Sequence, residues 1–412
     1  MVKKSTGVYT SMKLAKTLFL KSLEGLRVGS LELILGGEAW QFGDASSSLR
    51  AQIFVHDESF FRRAVLGGDM AIGEAWMDGA WTSPDLVSVV RLAVRNLPAV
   101  ENRNALSRAV DRVRHMLRDN SITGSRKNIE AHYDLSNDFF RLFLDPSMMY
   151  SCAFYEQESD SLERAQFQKL DRICRKLQLS PGDHVLEIGT GWGAFALHAT
   201  RHCGCRVTTT TISREQHAVA GERFTGTGIE LLFEDYRKLK GQYDKIVSIE
   251  MFEAVGLKHY DEFFGACDRL LKPEGSMLMQ AITMNERSFP EYIGKTDWIQ
   301  KYIFPGAELA SVAGILKSLA RVTSMGLFHF EDIGMHYART LAGWREAFRG
   351  RLDEVRALGF DERFIRMWDY YLAYCEGAFL ERHIGDAQIV LTKLGCRKAL
   401  LNETAIYERT HS

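Results

Sequence analysis

Val185-Leu-Glu-Ile-Gly-Thr-Gly-Trp-Gly193 decides how most of this chain folds. An apolar strand ends in a carboxylate and runs into three alternating glycines that open what reads as a helix. Strand–glycine turn–helix units set their ligands at the carboxyl edge of a parallel sheet. Glycine lets the backbone approach the ligand, and the helix presents free N–H groups. Many nucleotide folds carry such a loop, so the residues behind it must say which ligand it takes. From Ile188 to Arg214 there is no Asp or Glu. The acid expected roughly 20 residues on, for the ribose of a nicotinamide dinucleotide, is therefore missing. S-adenosylmethionine (SAM) matches better.

SAM requires backbone room for its methionine tail, partners for the ribose hydroxyls, a polar edge for adenine and an open sulfonium face. Gly189, Gly191 and Gly193 supply the first, with Glu187 closing the strand before them. Thr211 and Gln216 offer uncharged ribose partners, and Asp235 and Tyr236 suit the adenine amino group and ring. Each of these residues alone also reads as ordinary turn chemistry; their joint spacing behind one loop points to SAM. Glu253 follows the apolar run Ile246-Val-Ser-Ile249, whose far end faces the same crevice. Glu250 and Glu253 share a face if this segment is helical, and favourable acids at a helix start are the alternative account.

Upstream and downstream, strand candidates His184–Ile188, Val207–Ile212, Leu231–Phe233, Lys245–Ile249, Ser276–Ile282 and Gln388–Thr392 alternate with helical patterns. That rhythm predicts an α/β, Rossmann-like, doubly wound sheet. A helical insertion over roughly 286–323 interrupts it. Before it lies a smaller α+β unit. Leu31–Leu35 and Gln52–Val55 read as antiparallel strands, and residues 58–95 turn helical. Leu106, Val110, Val113 and Leu117 then recur at helical spacing among arginines. The polar, glycine-containing stretch 121–127 is the linker, which divides the chain into domains 1–120 and 128–412.

Composition sets bounds on partners. Lys+Arg 52 against Asp+Glu 53 gives no nucleic-acid signature. Local charge differs: residues 1–28 carry six Lys/Arg against Glu24, and 101–130 carry seven against four acids. Residues 1–28 have an amphipathic look, read either as a docking helix or as a membrane-surface contact. Seven scattered cysteines without a CxxC pair read as reduced thiols, with no metal site. No stretch approaches the ~18 apolar residues of a spanning helix, so the expectation is a cytoplasmic protein, peripheral at most to the membrane's inner face.

Seven blocks occur in one order: His132-Tyr-Asp-Leu-Ser-Asn-Asp-Phe140, Met149-Tyr-Ser-Cys-Ala-Phe154, the glycine loop, Thr211-Ile-Ser-Arg-Glu-Gln216, Asp235-Tyr-Arg237, Met251-Phe-Glu-Ala-Val-Gly256 and Lys301-Tyr-Ile-Phe-Pro305. This set closely resembles the cyclopropane fatty acid synthases and their mycolic acid methyltransferase relatives, over roughly residues 125–395. The N-terminal unit resembles the synthases' non-catalytic, lipid-carrier-like domain more loosely.

The resemblance implies SAM-dependent methylation of a cis alkene in an unsaturated phospholipid acyl chain. Loss of a proton then closes a cyclopropane ring, and a bound bicarbonate takes that proton. By resemblance the bicarbonate falls on Cys152, Glu253, Ile282 and Tyr337, with Gln280 where many relatives have His. Ala254 likewise stands where many have His after the Glu. A methylene- or methyl-branched product from the same first step, and a small-molecule N-methyltransferase, stay open. Tyr150 and Ser151 are implied to contact the SAM carboxylate and ribose, and Ile249 to line the adenosyl pocket. Phe139, Phe140, Tyr150, Trp298 and Tyr302 are candidate cation-stabilising aromatics or core residues. Cys375 matches a cysteine often given as catalytic in the family, although its aromatic neighbours at helical spacing suit a packed helix. The resemblance is compatible with a homodimer.

Overall fold

The structure, a computed structural model, describes residues 3–97 and 135–397, with side chains from Met12 onward. The arginine-bearing pattern at 104–118, the 121–127 linker and His132 to Asp134 lie outside the described residues. The chain divides into two compact units.

The first unit holds the described residues up to 97 together with Gly294–Ile303 and Leu341–His383. Its sheet runs β2-β1-β3-β4, from strands β1 Ser30–Leu35, β2 Glu38–Gly43, β3 Arg50–Val55 and β4 Trp81–Thr82. Leu31–Leu35 and Gln52–Val55 pair in parallel, not antiparallel, because β2 returns on the other side of β1. That register puts Leu31, Leu33, Ala51, Ile53 and Val55 on one buried face. The helix Glu362–Leu380 packs on Ser59–Met77 and Leu86–Arg95. Trp298 packs at a tilt against Tyr370 with ring centroids 4.7 Å apart. These contacts draw two segments of 128–412 into the first unit, where reading along the chain had kept that stretch whole. Apolar complementarity, not order in the chain, sets the division.

The second unit carries a seven-stranded sheet, β10-β11-β9-β8-β5-β6-β7. Its strands are β5 His184–Ile188, β6 Arg206–Thr210, β7 Glu230–Leu232, β8 Tyr243–Ile249, β9 Leu271–Met284, β10 Met325–Asp332 and β11 Ile384–Lys393. β5 to β9 are parallel; β11 runs antiparallel to β9, and β10 antiparallel to β11. Alternate residues feed two cores. Leu186, Ile246, Met277 and Met279 join one. Val185, Val247 and Leu278 join the other. Burial on both faces is what a parallel sheet under helices requires.

All six expected strands are present. β10 is the addition: as an edge strand it leaves Leu327, Phe328 and Phe330 exposed, so its pattern lacks a buried alternation. Within the supposed insertion, Val312–Val322 is a crossover helix packed on Tyr260–Leu270. Strand order reverses between β5 and β8, which places the crevice at their carboxyl ends.

Candidate active site

The glycine loop leaves β5 at that crevice. Gly189, Gly191 and Gly193 have φ of 101°, 51° and 89°, a region that costs other residues roughly 1–2 kcal/mol. At Gly193 close approach adds to this, since a Cβ would lie 2.5 Å from Phe224. At Gly191 a Cβ would meet nothing within 4 Å, so the loop leaves open space where a ligand's backbone-hugging tail belongs. That cradle fits SAM. Gly193 caps the helix Ala194–Cys203.

The remaining expected cofactor residues divide. Thr211 Oγ1 donates to Gln216 Oε1 at 2.9 Å, which pairs the two ribose candidates beside each other at the end of β6. Tyr150 lies half-buried against Phe140 (5.2 Å) and stacks with Phe304 (6.4 Å). Ile249, the last residue of β8, is also half-buried. Ser151 is buried, and its hydroxyl accepts from Lys169 Nζ at 2.7 Å.

Three candidates have structural duties. Glu187 accepts from Thr209 Oγ1 at 2.6 Å, and burial pushes its carboxyl up to about 8. Asp235 is clasped by Arg237 through Nε at 2.8 Å and Nη2 at 2.7 Å, so its carboxylate is already neutralised. Tyr236 packs its ring edge-on against Phe263 in the core, 5.4 Å away, where it offers no open stacking face on that side.

Beyond β8 the chain does not continue as a helix. Glu250 has φ of 46°, and a 3-10 turn covers only Phe252–Ala254. The two acids therefore do not share a helix face, yet Glu250 is close enough to disfavour ionisation of Glu253. Glu253 Oε1 accepts from the Ile282 N–H at 2.5 Å, while Oε2 is buried without a partner among the described residues. Burial first, then Glu250, raise the Glu253 carboxyl to about 8.

Glu250 holds the centre. Its Oε1 accepts from the Cys152 N–H at 2.7 Å and from Gln280 Nε2 at 2.8 Å. Its Oε2 accepts from Tyr337 OH at 2.6 Å. These are three of the groups expected to hold bicarbonate, and all three point at a side-chain carboxylate. The expected bicarbonate set is thus divided: Glu253 with Ile282 on one side, Cys152, Gln280 and Tyr337 on Glu250. With those donors committed, the residues present do not fit a bound bicarbonate. Cys152 contributes its N–H and not its thiol, which burial, Asp386 and Glu250 raise well above the ordinary range. Burial raises Glu250 also, while Tyr337, the Cys152 N–H and Lys169 draw it back down.

Sequence reasoning missed Glu250's place, and with it Lys169, Asp386 and Gln388. Lys169 is fully buried, and its ammonium is lowered to about 8 by desolvation against the pull of Glu250. Asp386 accepts from Gln280 Nε2 at 2.8 Å, and burial, with Glu250 and Glu253 beside it, raises its carboxyl well above the ordinary range. A Lys within an amphipathic helix and an Asp in a strand of the apolar β11 were the available signals.

Of the aromatics, Phe139 and Phe140 are wholly buried and belong to the core; Tyr150 is half-buried. Trp298, Tyr302 and Cys375 belong to the first unit. There Tyr302 OH donates to Glu74 at 2.7 Å. Burial holds the Cys375 thiol well above its ordinary value, and a protonated thiol is no nucleophile. Among the described residues no cluster of His, Cys, Asp and Glu is arranged to hold a metal ion.

A glycine cradle at the switch point of this sheet, with acids at the next strand end, defines a SAM-dependent methyltransferase. The chain belongs to the mycolic acid cyclopropane synthetase family, whose sequence profile matches residues 120–389. It is 39% identical to the cyclopropane-fatty-acyl-phospholipid synthase of Escherichia coli, over 84% of this chain and 89% of that one. It is 37% identical to the tuberculostearic acid methyltransferase UfaA1 of Mycobacterium tuberculosis, over 83% of each. The solved cyclopropane synthase MmaA2 of Mycobacterium tuberculosis superposes with a TM-score of 0.61 at 33% identity, covering 65% of this chain and 98% of that one. Coclaurine N-methyltransferase, at 19% identity and a TM-score of 0.61 over 78% of this chain and 99% of that one, shares the fold.

Proposed function

We propose that this enzyme methylates the cis double bond of unsaturated acyl chains in phospholipids and closes a cyclopropane ring. The observation that carries the reading is the acid pair Glu250–Glu253 set at the end of β8, next to the glycine cradle. The similarity to the Escherichia coli synthase along both units supports the phospholipid substrate. An isolated alkene is a poor nucleophile, and SAM, when bound, supplies a methyl group electrophilic enough to meet it.

The chain's own residues do the rest. Gly189, Gly191 and Gly193 give the donor backbone room, and Thr211 and Gln216 offer it hydroxyl partners. Tyr150 supplies an aromatic ring whose face favours a developing cation. The carboxylate side of the site favours the same charge electrostatically. Glu253, near 8, is matched to exchanging a proton with solvent around neutral pH.

A substrate embedded in a bilayer requires contact with the membrane surface. No helix of the described residues is long and apolar enough to cross one. The helix Lys3–Leu23 exposes Leu14 (61%) and Leu18 (47%) beside Lys13 and Lys21, a pattern suited to lying on anionic lipid at the cytoplasmic face.

A methyl-branched product is the second reading, favoured by the similarity to the tuberculostearic acid methyltransferase. Mass spectrometry of lipids from cells expressing the chain tests both. A gain of about 14 Da over the monounsaturated chain that hydrogenation leaves unchanged marks the ring, whereas a gain of about 14 Da that takes up a further ~2 Da on hydrogenation marks a methylene or unsaturated methyl branch. Absence of any such gain removes the acyl-chain reading.

A further inference from the structure

We infer that Glu250 is a built-in proton acceptor: its side chain carries into the site the carboxylate that a freely bound anion would otherwise provide. The inference rests on the acyl-chain reading above. Two independent observations support it.

The first is the donor set. A backbone N–H, an amide N–H and a phenol converge on the Glu250 carboxylate at 2.6–2.8 Å. Gln280 gives its other N–H to Asp386 at 2.8 Å. Three donors converging on one O–C–O group describe a pocket for a planar oxyanion. A carboxylate and a bicarbonate share that planar O–C–O group, so the side chain satisfies the pocket without a dissociable ligand.

The second is the backbone. Glu250 sits at φ of 46°, where glycine is the comfortable residue. Strain at a non-glycine residue persists only where the surroundings hold it, and it gathers at functional sites. Here the surroundings are the three donors themselves, plus the Glu250 N–H donating to the Gln280 carbonyl at 2.8 Å.

The chemistry balances. After a methyl group has joined one alkene carbon, the other is a carbocation. A C–H bond of the new methyl breaks, its electron pair forms the second ring C–C bond, and the proton passes to Glu250. Oε1 already accepts two hydrogen bonds and Oε2 one, so Oε2 keeps the lone pair that receives it. Glu250 is half-buried as a residue, and the neutral acid then returns its proton to solvent.

Glu250→Gly tests this and suits the local backbone, so the variant is expected to fold. In the wild-type chain, turnover of SAM with monounsaturated phospholipid vesicles should be unchanged in carbon-dioxide-depleted buffer. Glu250→Gly should lose at least about 10²-fold, the scale of one acid–base group, and recover at least tenfold on adding bicarbonate. A readout free of turnover accompanies it: bicarbonate should raise the melting temperature of Glu250→Gly and leave the wild type unmoved. Bicarbonate dependence of the wild type, a thermal shift of the wild type with bicarbonate, or undiminished turnover of Glu250→Gly without bicarbonate would each overturn the inference. If wild-type chain methylates no vesicle at all, the acyl-chain reading fails by itself, and the thermal shifts still decide who fills the pocket.

Discussion

Gln388 stands directly opposite Gln280 in the β9–β11 register and donates its amide to the Gln280 oxygen at 3.1 Å. Gln388 in turn accepts from Lys176 at 2.7 Å, and Lys176 pairs with Glu331 at 2.6 Å. Every polar position of Gln280 is therefore spoken for: one oxygen held by Gln388, two N–H groups held by Glu250 and Asp386. A histidine offers only two ring nitrogens and cannot make all three contacts. The Gln that departs from many relatives suits a site whose centre is a fixed carboxylate.

Gln280→Leu should therefore cost about 3 kcal/mol, because it strands three buried polar partners at once. Urea unfolding of the two proteins measures it. A shift under about 0.5 kcal/mol would mean the network contributes no stability.

Gly191→Val should abolish the cradle. The substitution meets open space in the protein but fills the ligand's place and forces a branched residue to φ of 51°. Calorimetry with S-adenosylhomocysteine should show affinity down by at least about 10²-fold; unchanged affinity would remove the loop from the binding site.

Glu253→Gln keeps an oxygen for the Ile282 N–H but cannot exchange a proton. S-adenosylhomocysteine affinity should stay within about twofold while turnover falls about 10²-fold. Steady-state kinetics that show full turnover would take Glu253 out of the mechanism.

Stability should decline with pH through the neutral range. Glu187 and Glu253 titrate near 8 in the folded chain against an ordinary 4.5. Between those values the folded state keeps protons that the unfolded state has released. The contribution is whole below about 4.5 and is lost as pH rises through about 8. Glu187→Gln should flatten the fall in urea midpoint between pH 5 and pH 8.5, and an equally steep fall in that variant would refute the assignment.

Leu14→Asp with Leu18→Asp should weaken sedimentation with anionic phospholipid vesicles at least about tenfold, since two exposed apolar side chains become charges. Soluble-substrate binding is expected to stay as it was.

Much of the molecule could be read along the chain. Local apolar runs alternating with helical patterns located six strands of the second unit, and the glycines located the loop between β5 and its helix. Side-chain size and backbone freedom are properties of single residues, so Gly191 announces its role in any context. The motif order carried the family and, with it, methyl transfer from SAM.

Tertiary structure decided the rest. Which acid receives which donor depends on where strand ends meet, and Cys152, Gln280 and Tyr337 come from three distant segments. Linear order could place Glu250 and Glu253 three residues apart; it could not say that a left-handed turn sends the first into the anion pocket and leaves the second on Ile282. Buried charge follows the same logic. Lys169 and Asp386 look like surface residues in a sequence, and only packing removes their water and moves their protons.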